Sequence, residues 1–181
     1  VPYAISAKFA HPDKMSIALV GDGAMQMLGN NGVITISKYW KRWSDPRLMI
    51  VVLNNRDLNQ VTWEQRVMEG NPKFEASQDV PDFPYAEYAK MLGLDGIKID
   101  KPEDIVPSLE YAFKLNRPVI IDVYTDPSVP PLPPHISFKQ AKNFMFSMTK
   151  GDPDAWDMIK QSWKDVIENF IPHKKEMSET I

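Results

Sequence analysis

The sequence predicts an α/β fold: a doubly wound, mainly parallel sheet with helices on both faces, followed by a C-terminal helical tail. Three observations carry that prediction. Short apolar runs recur along the first 124 residues and alternate with stretches of helical periodicity. Two of those runs, at 48–53 and 119–124, are apolar almost throughout, as strands covered on both faces must be. Five of the eight residues from Pro127 to Pro134 are proline, which continues neither a helix nor a ladder, so the α/β pattern ends there.

The elements follow in order. Tyr3 to Phe9 reads as a helix already under way, and with no initiator Met ahead of it the expectation is a fragment of a longer polypeptide. Ser16-Ile17-Ala18-Leu19-Val20 reads as a buried strand stopped by the tight turn Gly21-Asp22-Gly23. Residues 24–43 read as a helix whose start is weakened by Gly29 and Gly32. Leu48 to Leu53 is a second buried strand, ended by Asn54-Asn55. Residues 57–80 read as polar and irregular, with a turn at Gly70-Asn71-Pro72. Pro84 to Leu92 is a helix closed by Gly93, and Gly96 to Ile99 a third strand. Pro102 sits in the first turn of a helix reaching Leu115, where Glu103 and Asp104 complement its dipole. Val119 to Tyr124 is the fourth strand. Residues 137–170 read as two amphipathic helices split at Gly151-Asp152-Pro153. The chain thus divides into an α/β unit at 1–126, a Pro-rich connector at 127–136 and a helical tail at 137–181.

Composition narrows the function classes. Of 181 residues 43% are hydrophobic and 25% charged, enough apolar surface for a core and too much for general disorder. A net charge of −3, with no polybasic arm or acidic tail, argues against a dedicated nucleic-acid binder. With no cysteine, disulfide frameworks, thiolate zinc sites, iron–sulfur clusters and cysteine nucleophiles are excluded, and a cytoplasmic location is expected. No apolar run approaches the ~18 residues of a membrane span. The tail balances its charges, which favours docking on protein over a membrane surface, where excess Lys and Arg are usual. His11, His135 and His173 lack metal-ligand spacing and read as structural.

A strand followed by Gly21-Asp22-Gly23 and a helix has a chemical meaning. Ligands bind at the carboxyl ends of strands in open parallel sheets. The glycines let backbone approach a ligand closely, and the helix start offers N–H groups and positive potential to a phosphate. Asp22 beside that phosphate is a hard anionic ligand suited to Mg2+. Asn54-Asn55 ends the next apolar run, on the same sheet edge, where an amide oxygen could complete a metal site. The inference is a phosphate-bearing cofactor held through Mg2+. No Gly-Lys-Ser/Thr follows the turn, which disfavours a P-loop, and Gln26 breaks the Gly-x-Gly-x-x-Gly of nicotinamide binders.

Gly21-Asp22-Gly23, then 30 residues, then Asn54-Asn55 resembles the motif of thiamine-diphosphate-dependent enzymes. The spacer is a few residues longer than usual, and Lys41 to Pro46 can hold the excess. Phe83 to Ala89 with Leu92 to Ile99, and Arg117 to Val123, look like the family's next units, so that roughly residues 1–135 match its diphosphate-binding domain. The resemblance implies a thiamine-diphosphate-binding fold. It implies Mg2+ held by the Asp22 and Asn55 side chains and the Asp57 backbone carbonyl. After Gly21, backbone groups of Gly23, Ala24 and Met25 would hold the diphosphate.

The resemblance further implies decarboxylation of a 2-oxo acid such as pyruvate. Nine residues past Asn55 stands Glu64, where proteins similar to pyruvate oxidase carry an active-site glutamate. Acetolactate synthases usually carry a tryptophan there, and Trp63 is one residue away. Pro133-Pro134-His135-Ile136 with Gln140 to Phe144 looks like a pyruvate oxidase tail, which favours the oxidase-like branch. An acetolactate synthase-like carboligase and a non-catalytic binding or assembly module remain as alternatives. Asn59, Gln60 and Gly32 depart from the family pattern, which places Gly, an aromatic residue or Met, and Glu there. The family also implies an N-terminal pyrimidine-binding domain outside these residues, a homo-oligomer, and FAD as an open question for the parent protein. The chain alone is therefore expected to be inactive.

Overall fold

The computed structural model describes residues 1–129 and 137–160. Most of the connector, His135, His173 and the end of the tail lie outside the described residues. The chain forms two compact units, one of Val1–Asn59 with Glu75–Pro127, the other of Gln60–Phe74 with the chain from Ser128 onward.

The first unit is the α/β layer. Helix α1 (Pro2–Ala10) leads into strand β1 (Ser16–Gly21). A continuous helical stretch follows: α2 (Asp22–Ala24), a π-turn (Met25–Gly29) and α3 (Asn30–Tyr39). Strand β2 (Leu48–Asn54), helices α4 (Asn59–Glu64), α5 (Glu75–Gln78) and α6 (Tyr85–Met91), strand β3 (Asp95–Ile99), helix α7 (Ile105–Lys114) and strand β4 (Val119–Tyr124) complete it, α4 passing into the second unit after Asn59. The four strands form one parallel sheet in the order β1-β2-β4-β3. The predicted doubly wound α/β architecture is the one observed.

Strand side chains alternate between faces, and each face has its own core. Leu48, Ile50, Val52 and Ile120 point to one side and pack with Ile5, Val33, Ile36 and Tyr85 from α1, α3 and α6. Met49, Val119, Ile121 and Ile99 point to the other and pack with Ala112 of α7. Both α1 and the loop before β2 are tied down by Lys8, which is fully buried. Its Nζ donates to the carbonyls of Pro12, Lys14 and Asp45, satisfying all three donors of the ammonium. In the same loop, Arg47 grips the Asp45 carboxylate through Nε at 2.9 Å and Nη2 at 2.7 Å.

Two expectations are corrected. Strand β1 is not buried: it is a sheet edge, and Leu19 is 74% exposed because α7 packs on β3 and leaves that side of β1 without a helix. Residues 57–80 are not irregular. They contain α4, a π-turn at Gln65–Glu69 and α5, since Thr62, Trp63, Arg66 and Val67 are spaced for the buried face of a helix despite their polar neighbours.

The second unit is helical. Residues of α4 and its π-turn pack with α8 (Phe138–Thr149) around Trp63, Val67 and Met158. Ser137 and Gln140 start α8 with a reciprocal capping box, each side chain accepting from the other's backbone N–H. Gly151 breaks the tail at φ 87°, and residues 155–160 are helical again, as the sequence predicts. No helix among the described residues is long and apolar enough to cross a membrane.

Candidate diphosphate and metal site

The site grows from the carboxyl ends of two neighbouring strands. The β1–β2 register pairs Gly21 with Leu53, which sets Asp22 beside the Asn54-Asn55 turn. Asp22 is only 3% exposed. One carboxylate oxygen accepts from the Gly23 N–H at 2.8 Å, the other from the Arg56 N–H at 2.5 Å. A single side chain therefore ties the two strand ends together. Burial pushes the Asp22 carboxyl above its ordinary range, and those backbone donors oppose the shift.

Arg56 reaches that position at φ 59°, in the left-handed region that non-glycine residues adopt at a cost of about 1 kcal/mol or more. The strain aims its N–H at Asp22. The Asn55 amide oxygen accepts from the Asp57 N–H at 3.1 Å and keeps a second lone pair. Asp57 is buried and bridges Asp79, flanked by bonds from Leu58 N–H to the Gln78 carbonyl and from Val80 N–H to that of Arg56. Asp22, Asn55 and Asp57 are thus gathered at one turn. One carboxylate, one amide and a backbone carbonyl are hard oxygen donors of the kind Mg2+ takes, with phosphate and water completing its shell. Among the described residues no three His, Cys, Asp or Glu side chains cluster as a metal site.

Beside Gly23 lies an open cavity of about 270 Å3, lined among others by Gln26, Leu58, Asp79 and Pro81. A Cβ on Gly23 would stand 2.6 Å from Leu58 Cδ2, so this position admits only glycine without rearrangement. The predicted backbone groups at the helix start have intramolecular partners: Gly23 N–H donates to the Asp22 carboxylate and Met25 N–H to the Asp22 carbonyl. The Met25 side chain is in the core.

Two supporting residues were not singled out from the sequence. Tyr85 donates its hydroxyl to the Asp22 carbonyl at 3.1 Å, while Gln26 Nε2 donates to that hydroxyl at 3.3 Å and to the Pro81 carbonyl at 2.6 Å. Burial pushes the Tyr85 phenol up to about 12. Asp122, buried in β4, accepts from the Asn54 amide at 3.0 Å and so fixes the residue before Asn55. Burial raises its carboxyl and the Asn54 bond opposes that. The signal for Asp122 was present: it is the one charged residue in the run Val119 to Tyr124.

The departures from the family pattern acquire structural reasons. Asn59 Nδ2 donates to the Pro127 carbonyl at 2.8 Å, tying the turn after β2 to the chain after β4. A Cβ on Gly32 would lie 2.7 Å from Val1 Cγ1 and 3.3 Å from Ile5 Cδ1, so glycine lets α1 close on α3. Glu64 belongs to the second unit, is exposed, and accepts from Gln60 Nε2 at 3.0 Å. Its neighbour Trp63 is buried.

Residues 1–123 match the family model of the thiamine pyrophosphate enzyme C-terminal TPP binding domain. The Bacillus subtilis protein YdaP, whose name describes a thiamine pyrophosphate-containing protein, is 34% identical over 150 residues, 83% of this chain and 24% of that protein. The acetolactate synthase large subunit of Haemophilus influenzae is 31% identical over 129 residues, 70% of this chain and 21% of that protein. Among solved structures, the thiamine diphosphate-dependent 4-hydroxybenzoylformate decarboxylase of Rhodococcus jostii RHA1 shares the fold with a TM-score of 0.59 at 24% identity, over 70% of this chain and 22% of that one. The chain spans about a quarter or less of the length of these relatives.

Proposed function

The chain belongs to the thiamine pyrophosphate enzymes, through their C-terminal binding domain, and from that premise we propose that it holds the diphosphate of thiamine diphosphate through Mg2+ in an enzyme that decarboxylates a 2-oxo acid such as pyruvate, in the manner of pyruvate oxidases. The observation that carries the proposal is the buried Asp22 carboxylate joining the ends of β1 and β2 beside the cradle at Gly23. Asp22, Asn55 and the Asp57 carbonyl would hold the cation, and the helix start at Gly23, Ala24 and Met25 the diphosphate. When bound, the cofactor's thiazolium ring accepts the electrons released as CO2 leaves. The chain's own share is to anchor, to orient and, through Tyr85 and Gln26, to keep the Asp22 turn from moving. Glu64 would stand at the 2-oxo acid. A pyrimidine-binding domain would complete the active site, with FAD and an electron acceptor as further requirements of an oxidase.

The likeness to acetolactate synthase supports a second reading, a carboligase. One experiment separates the two. The full-length enzyme is incubated with pyruvate, thiamine diphosphate and Mg2+, with and without an artificial electron acceptor. Acceptor-dependent acetate or acetyl phosphate supports the oxidase; acetolactate formed without an acceptor supports the carboligase. The metal site is tested separately. Asp22→Ala should abolish Mg2+-dependent thiamine diphosphate binding in a calorimetric titration, and an unchanged affinity would remove Asp22 from that role.

A further inference from the structure

Helix α4 carries Gln60 and Glu64 on an exposed edge and Thr62 and Trp63 on a buried one. Within the second unit, the residues that anchor it come from the C-terminal chain. Arg66, in the π-turn that follows, is 1% exposed. Its Nε donates to Asp152 Oδ2 at 2.8 Å, and its Nη2 donates at 2.7 Å to both Asp152 Oδ1 and Asp154 Oδ2. The two Asp152 oxygens also accept from the N–H groups of Lys73 at 2.9 Å and Asp154 at 3.0 Å, so this buried carboxylate receives four hydrogen bonds. Trp63 lies under the Arg66 guanidinium at 5.3 Å and stacks on Phe144 at 5.6 Å and 16°.

The same tail binds the carbonyls at the end of the π-turn. Asn143 Nδ2 donates to Val67 and Met68 at 3.2 and 2.8 Å, and Lys150 Nζ to Gly70 at 2.7 Å. This π-turn is the wide last turn of the helix, which ends at the left-handed Gly70 with its N–H on the Gln65 carbonyl, and π-turns are rare outside sites that hold them. Rewound as an α-turn, it would change the direction of Glu64 relative to the anchored Arg66 and Val67. Glu64 immediately precedes the turn.

We propose that the C-terminal segment, acting through the Arg66–Asp152 pair, is a positioning element of the active site: it holds the π-turn and thereby fixes the direction in which Glu64 presents its carboxylate to the 2-oxo acid. This rests on the reading of Glu64 as an active-site residue. The Asp152 carboxylate is buried and taken up by Arg66 and two backbone N–H groups, so its effect passes through Arg66 and helix α4 to substrate binding and leaves cofactor affinity unchanged.

The test uses the full-length enzyme with Asp152→Asn, which keeps the side-chain volume and removes the charge. The KM for pyruvate should rise at least tenfold while thiamine diphosphate affinity stays within twofold, and Asp152→Glu, which keeps the charge, should recover part of the loss. Folded Asp152→Asn with an unchanged KM overturns the proposal, as does a parallel fall in cofactor affinity. If Asp152→Asn does not fold, the part-exposed Asp154→Asn takes its place, with a rise of about threefold expected and an unchanged KM as the refuting result. Glu64→Gln in parallel separates the premise from the proposal. An unchanged KM there removes the reading of Glu64. A raised KM there, with none for Asp152→Asn, removes the positioning role.

Discussion

Gly23→Ala puts one methyl group where the cofactor reading needs an open cradle. The added carbon would lie 2.6 Å from Leu58 Cδ2, against an ordinary carbon–carbon contact of about 3.5–4.0 Å, so something must move by roughly 1 Å. The yielding part is Leu58, which lines the same cavity, and its displacement narrows that cavity. The atom that yields is the far end of a flexible, partly exposed side chain beside an open cavity, so the cost lies at the low end of overpacking, about 1 kcal/mol. Strain of that size carried by the bound state lowers thiamine diphosphate affinity in the presence of Mg2+ by roughly fivefold. The assay is a calorimetric titration of the full-length enzyme, with a thermal melt recorded without cofactor to show how much strain the free protein bears. Leu58→Ala in the same chain removes the clashing atoms. The double variant should therefore bind better than Gly23→Ala alone, a coupling expected only of residues in contact. Affinity and melting temperature both unchanged in Gly23→Ala would refute the assignment of the cradle.

Two further outcomes follow from the first unit. Asp45, held by Arg47 and satisfied near Lys8, has its carboxyl lowered from 3.8 to about 2, chiefly by the Arg47 side chain. A depressed carboxyl stabilises the fold above its unfolded value and loses that contribution as pH falls through the folded one. Arg47 is 40% exposed, so solvent screening reduces the effect, and Asp45→Asn should cost about 1 kcal/mol near pH 7. Denaturant melts should show the difference closing between about pH 4 and pH 2, and a constant difference across that range would count against the pair. Tyr85→Phe deletes the hydroxyl between Gln26 and the Asp22 carbonyl; a loss of about 1–2 kcal/mol is expected in the same melts, together with a severalfold weaker thiamine diphosphate titration. With the phenol raised to about 12, that loss should not vary from pH 6 to 9.

The strands were legible because a parallel sheet covered on both faces writes itself as apolar runs, and Leu48 to Leu53 and Val119 to Tyr124 match β2 and β4 almost to the residue. The exposure of β1 was not, because composition does not say which strand stands at an edge: Ile17 and Leu19 read the same way whether or not a helix covers them. The placement of Asp22 and Asn55 at neighbouring strand ends was legible through the apolar runs and the turns that stop them. The left-handed Arg56 was not, since arginine carries no turn preference and its φ is imposed by the bond to Asp22. Nor was the π-turn at Met25–Gly29, which gives the helix room for one residue more than an α-turn holds.

Packing separates Glu64 from its neighbour Trp63 in a way the sequence does not show. Successive helical residues point about 100° apart, and at this pair the buried face ends between them: Trp63 is inside it and Glu64 outside. What fixes the rotation is downstream: Arg66 and Val67 are both buried, Arg66 by its carboxylate partners and Val67 among Met158 and the tail. With those two turned inward, Trp63 follows them into the core at 3% exposure, and Glu64 is turned out. A tryptophan already stacked between Phe144 and a guanidinium would have to leave both to touch a substrate, exposing the ring and stripping one face of a buried arginine. Glu64 needs no such rearrangement. Helix α4 thus buries Trp63 and presents Glu64 to the outside, and it does so through residues of the tail.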